Sequence, residues 1–129
     1  MATGQTDAAR AIEALSEAFV RHLNAGDAGE LVRGFYAEDA ALLPPDHPPV
    51  RGHEQIRDTI RGLLDASFGV LSIESVMVDA SGDLAYRTGR YRLGKPEPDG
   101  GKFVEVFRLQ ADGSWRCVAE IFNRDAAAN

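Results

Sequence analysis

The hydrophobic pattern of this 129-residue chain changes period near residue 70, and that change limits the folds open to it. Upstream, apolar residues recur every three or four positions, the spacing that gathers them on one side of a helix. Downstream, apolar and polar residues alternate, the spacing of a strand with one face turned to a core. Helices first and strands afterwards imply an α+β domain whose helices cover one face of a mostly antiparallel sheet.

Asp7 to Asn24 is expected to form the first helix, with Ile12, Leu15, Phe19, Val20 and Leu23 as its apolar stripe. Gly26 suits the left-handed residue that closes a helix. Asp27 and Glu30 are spaced as a capping pair for a short second helix, whose apolar side is Leu31, Val32, Phe35 and Tyr36. A strand over Asp39–Leu43 is stopped by Pro44, Pro45, Pro48 and Pro49. Gly52 to Ser67 reads as a third helix, facing inward through Ile56, Ile60, Leu63 and Leu64 and closed by Gly69. Four strands follow in antiparallel succession: Val70–Val78, Leu84–Leu93, Phe103–Gln110 and Trp115–Asn123. Ser81-Gly82-Asp83 and Asp112-Gly113 are their tight turns, and Gly94–Gly101, with Pro96 and Pro98, is a loop. The ends, Met1–Thr6 and Ala126–Asn129, read as loose. The length suits one domain over 1–129, with an ordered core of about 7–123.

Charge and residue types exclude several functions. Asp and Glu number 20 against 14 Lys and Arg, for a net charge of −6, and the two lysines, Lys95 and Lys102, stand in no basic run. A phosphate backbone needs a clustered basic face, so no nucleic-acid partner is expected. No apolar run approaches the ~20 residues of a membrane helix, and no basic patch with an apolar core marks a leader. A cytoplasmic location with no membrane partner is expected. Cys117 stands alone, which rules out an internal disulfide or a cysteine metal site, and its apolar surroundings mark it as packing. His22, His47 and His53 show no paired ligand spacing. There is no glycine-rich phosphate loop, so neither metal nor cofactor is implied.

Several strings resemble the NTF2-like superfamily: Leu23-Asn24-Ala25-Gly26-Asp27 after the first helix, Phe35-Tyr36-Ala37-Glu38-Asp39-Ala40, and Pro48-Pro49-Val50-Arg51-Gly52 before the third helix. Gly101-Lys102-Phe103-Val104-Glu105-Val106-Phe107-Arg108 and Asp112-Gly113-Ser114-Trp115-Arg116 are similar to its SnoaL-like and DUF4440-like branches. The resemblance runs from about Asp7 to Asn123. It implies a cone-shaped, cystatin-like fold in which a curved sheet wraps the helices around one small-molecule pocket. It also implies a homodimer formed through the outer sheet face. Carried over from the related ketosteroid isomerases, the oxyanion-hole tyrosine falls on Phe19 and the general base on Pro44. Neither has the needed group, so isomerisation by that route is not expected. The second oxyanion-hole acid falls on Glu105, which keeps a carboxyl.

Strand alternation places Glu105 on a face with Phe103, Phe107 and Leu109, and Glu120 on a face with Val118 and Phe122. The resemblance turns both faces to the pocket, together with Tyr86, Thr88, Arg90 and Arg92 of the strand before. Two carboxyls in an apolar cavity raise the pKa of one of them, which then serves as an acid or a neutral donor. Glu105 and Glu120 are therefore the candidate catalytic residues. Phe19, His22, Phe35, Tyr86, Arg90, Phe107 and Phe122 are the candidate ligand contacts, with Arg90 or Tyr86 across from the carboxyls. His47 is placed at the pocket mouth and His53 on the surface. A buried Glu–Arg pair is also an ordinary way to satisfy a polar core, and a one-residue slip in parity would turn these side chains to the other face. The function expected is binding of a small, mostly apolar metabolite, with isomerase-, cyclase- or hydrolase-type proton chemistry. The alternative is a non-catalytic ligand-binding or dimeric interaction module.

Overall fold

In the computed structural model, which describes residues 2–95 and 98–125, the three helices are α1 (Ala2–Asn24), α2 (Ala28–Phe35) and α3 (Gly52–Asp65). The strands are β1 (Tyr36–Leu43), β2 (Val50–Arg51), β3 (Gly69–Ser81), β4 (Leu84–Lys95), β5 (Asp99–Leu109) and β6 (Trp115–Arg124). They form one sheet in the order β2-β1-β6-β5-β4-β3. β1 runs parallel to β6 and every other pairing is antiparallel. The sheet curls strongly around the helices, as the α+β cone requires.

The local signals explain most element boundaries. Gly26 takes φ +76° after α1, and Asp27 caps α2 by accepting a 3.1 Å hydrogen bond from the Glu30 backbone N–H. Gly82 and Gly113 take positive φ at the two hairpin turns. The interior is an aromatic cluster centred on Phe35, whose ring meets Phe19, Tyr36 and Phe107 edge-on at 5.0, 4.9 and 5.8 Å. Ile12, Leu31, Val32, Ile56 and Ile60 pack around it.

Several boundaries differ from the sequence expectation, among them the end of β3, which runs to Ser81 rather than Val78. Ala2–Thr6 is helical and lengthens α1 rather than fraying. Tyr36 opens β1 instead of ending α2, so the strand begins three residues early. Ser67 at φ +65°, not Gly69, makes the left-handed turn after α3. Gly100 and Gly101 belong to β5 rather than to a loop. A side chain at Gly101 would start 2.3 Å from the Tyr91 hydroxyl and 2.2 Å from the Asn123 carbonyl, so glycine is what lets the ladder continue there. Pro96 and the Ala126–Asn129 tail lie outside the described residues. No helix among them is long and apolar enough to cross a membrane.

Candidate functional site

Strand register arranges the inner face of the sheet in transverse rows. Arg87 of β4 is opposite Glu105 of β5, Glu105 is opposite Glu120 of β6, and Glu120 is opposite Leu42 of β1. The next row is Gly89, Phe103 and Phe122, and the one after it is Tyr91, Gly101 and Arg124. Successive rows are two residues apart, so one face reads polar, aromatic, then polar from the closed end outward. Gly89 lacks the Cβ that would sit 2.4 Å from the Phe103 ring, which is why that ring can lie across β4.

These rows wall a pocket of about 670 Å³, within the usual range for a small-molecule site. Phe19 and Leu23 of α1, Ile60 and Leu63 of α3, and Phe103 and Phe122 of the sheet form its apolar body. Tyr36, Glu105 and Glu120 form its polar floor. His47, Pro98, Asp99 and Arg124 also line it, toward the outer rows.

The floor is a continuous polar chain. Arg87 is 1% exposed and Glu105 is 3% exposed. Arg87 donates to Glu105 Oε1 from Nε at 2.9 Å and also from Nη2. Its Nη1 donates to Ser16 of α1 and, at 3.3 Å, to Ser75 of β3. The Phe103 and Phe107 rings flank the guanidinium at 5.0 and 5.7 Å. The Tyr36 hydroxyl donates to Glu120 Oε1 at 2.5 Å, and the Tyr36 carbonyl accepts from His53 Nε2 at 2.8 Å, tying β1 to α3.

One cation serves two buried carboxyls. Arg87 is the partner of Glu105, so among the described residues Glu120 has no cation of its own. Burial pushes the Glu120 carboxyl well above the usual carboxylate range, and the charge of Glu105 and a hydrogen bond with it add to the rise. The Tyr36 hydroxyl and Arg87 oppose the rise without cancelling it. Burial first, then the Glu120 charge, likewise raises the Tyr36 hydroxyl and the Cys117 thiol. The floor can therefore hold a proton on a carboxyl beside a second carboxyl that is ion-paired.

Glu105, Glu120, Phe19 and Phe122 line the pocket, and so does His47. Phe35 and Phe107 are buried behind it, at 2% and 0% exposure, and support its wall without touching the cavity. His22 is half-buried and is not a lining residue. The parity expected for β4 is wrong by one. Tyr86 is exposed with its hydroxyl donating to Met77 Sδ, Arg92 is exposed, and the exposed Arg90 lies 3.9 Å from Glu74. Thr88 and Arg90 border a groove on the opposite side of the sheet. The arginine beside the carboxyls is Arg87, because Ala85, Arg87 and Gly89 take the inward positions. His53 is half-buried against Tyr36 rather than on the surface. Ser16, Tyr36 and Arg87 are the floor residues that sequence reasoning passed over. Among the described residues no group of three or more His, Cys, Asp or Glu side chains is placed to hold a metal ion.

The model of the SnoaL-like domain matches residues 16–118. The chain belongs to the SnoaL-like family. This SnoaL-like domain is also similar in fold to several solved structures. A ketosteroid isomerase-like protein from Erwinia carotovora atroseptica shares 18% identity over 92% of this chain and 96% of the other, with a TM-score of 0.78. A protein of unknown function with a cystatin-like fold from Nostoc punctiforme shares 17% identity over 90% of each chain, with a TM-score of 0.77. An NTF2-like protein with a cystatin-like fold from Novosphingobium aromaticivorans shares 19% identity over 92% of this chain and 83% of the other, with a TM-score of 0.73. At such identities the likeness shows the shared fold alone. No curated protein matches the chain.

Proposed function

We propose that this SnoaL-like domain binds a small, mostly apolar metabolite with an oxygen function at the Glu105–Glu120 floor, and that the floor moves a proton on that ligand. The observation that supports this most is the carboxyl of Glu120, raised by burial, set beside a second, ion-paired carboxyl at the end of an apolar pocket of about 670 Å³. Perturbed carboxyls in clefts are the usual equipment of acid–base catalysis. The protonated member donates to the ligand oxygen while its neighbour accepts a proton from carbon. That is the elementary step of isomerase- and cyclase-type reactions, and a hydrolase uses the same pair to handle water. The carry-over from the ketosteroid isomerases puts their general base on Pro44, which has no carboxylate and lines the pocket.

A substrate-independent test is available. Acetylbiphenyl, an apolar methyl ketone, is incubated with the protein in D₂O and loss of its methyl proton signal is followed by NMR. The expected result is accelerated exchange that Glu120→Gln and Glu105→Gln each abolish. Binding of the ketone without any acceleration would reduce the site to a ligand-binding pocket.

A second reading concerns assembly. Val76, Met77, Val104 and Ile121 are 43–58% exposed on the sheet strands, and an apolar patch of this kind marks a contact surface. We propose that a second copy of the chain covers it, in line with the family resemblance.

A further inference from the structure

The row at the pocket mouth carries an ion pair that the floor chemistry does not use. Arg124 Nε donates to Asp99 Oδ2 at 2.7 Å, and both residues line the pocket. Asp99 is mostly buried, with its side chain 20% exposed, whereas the Arg124 side chain is 52% exposed. Among the described residues Nη1 and Nη2 of Arg124 have no hydrogen-bond partner. The pair thus leaves N–H donors available on a residue that lines the cavity while its charges cancel. Glu120, Phe122 and Arg124 alternate along one face of β6. At about 3.4 Å per residue, the floor and the Arg124 row are ~14 Å apart along β6. Phe103 and Phe122 fill the row between them.

We infer that Arg124 and Asp99 form a second polar subsite, and that the ligand is an elongated, apolar, uncharged molecule with an oxygen acceptor at each end. One oxygen meets the floor and the other meets the outward N–H groups of Arg124. The apolar body lies along the Phe103–Phe122 row. An uncharged oxygen fits better than a carboxylate, because Asp99 already balances the Arg124 charge and would repel a second anion. This inference rests on the floor reading above and extends it to the ligand class.

Three rigid probes test it: acetylbiphenyl, diacetylbiphenyl with its groups at opposite para ends, and the acetylbiphenyl para-carboxylate. Calorimetry is run on the wild type, Arg124→Met, the double variant Asp99→Asn/Arg124→Met, and Glu120→Gln. The second acetyl group is expected to tighten binding to the wild type about tenfold. In both Arg124 variants the gain, measured against acetylbiphenyl bound to the same variant, falls to the roughly twofold advantage of two equivalent ends. The carboxylate binds no better than the diketone. No gain from the second acetyl, or a gain that survives in both Arg124 variants, overturns the subsite; a carboxylate that binds best overturns its neutral character. Acetylbiphenyl reports on the floor separately. If Glu120→Gln weakens it while the second acetyl adds nothing, the subsite alone fails. If it does not bind the wild type, the floor reading fails and this inference with it.

Discussion

Arg87 and Glu105 face each other on neighbouring strands, both almost completely buried, and two guanidinium nitrogens share one carboxylate oxygen. Breaking such a pair from one side strands a charge in the core, which costs more than removing both charges. Arg87→Met is therefore expected to lose about 3–5 kcal/mol in urea denaturation. The double variant Arg87→Met/Glu105→Gln should recover much of that loss. A single variant as stable as the wild type would mean that Glu105 does not depend on Arg87.

Glu120 makes stability depend on pH in a direction opposite to that of a salt-bridged carboxylate. Its folded-state pKa is raised, so the native protein keeps a proton that the unfolded chain releases above about pH 4.3. The contribution is fully present below that pH and is lost as pH rises toward the folded value, at up to ~1.4 kcal/mol per pH unit. Glu120→Gln is expected to flatten this fall, leaving the variant on the order of 1–3 kcal/mol more stable relative to wild type at mildly alkaline pH than at pH 4. Thermal melts from pH 4 to pH 9 read the two slopes directly, and parallel curves would refute the assignment.

Tyr36→Phe removes the hydroxyl that holds Glu120 Oε1. That hydrogen bond lowers the Glu120 carboxyl's pKa, so its loss should raise it further, at a cost of about 1 kcal/mol in stability. Titration of the Glu120 side-chain carbon by NMR in both proteins checks the direction; a downward movement would be the contrary result.

Gly89→Ala is a test of the rows themselves. The new methyl would start 2.4 Å from both the Phe103 ring and the Glu74 carbonyl, and the backbone atom cannot be moved aside cheaply. A loss of about 1–3 kcal/mol is expected, with weaker binding of any aromatic probe because Phe103 is displaced. Gly62→Ala on α3, where nothing lies within 4 Å, is the control and should be neutral or slightly stabilising.

Val104→Lys places a charge on the exposed sheet face. If that face joins two copies, light scattering should show the wild type as a dimer and the variant shifted toward monomer. A wild-type monomer at high concentration would remove the proposal.

The helices and the hairpins were legible because each rests on a local period or turn residue, and the direction of Glu105 and Glu120 was legible only from alternation taken together with the family resemblance. The arginine was not, because β4 offers Arg87, Arg90 and Arg92 and its outer face carries the larger residues Leu84 and Tyr86. Hydrophobicity therefore pointed to the wrong parity. Volume is the signal that resolves it: Ala85 and Gly89 are small because Phe107 and Phe103 lie opposite them in the ladder. Ser16 had a similar marker, as a polar residue inside the apolar stripe of α1. Tyr36 had none, since the α2–β1 junction follows from pairing with β6, a contact distant in sequence. The mouth pair was hidden by reading Gly100-Gly101 as loop, although those glycines extend β5 and bring Asp99 beside Arg124.

The proton on Glu120 is the feature on which the floor chemistry depends. Labelling glutamate side-chain carbons and following the Glu120 carboxyl by NMR, assigned with Glu120→Gln, measures it directly. The expected result is a resonance still in its protonated form well above the ordinary carboxylate range. A resonance titrating near the ordinary pKa of about 4.3 would contradict it.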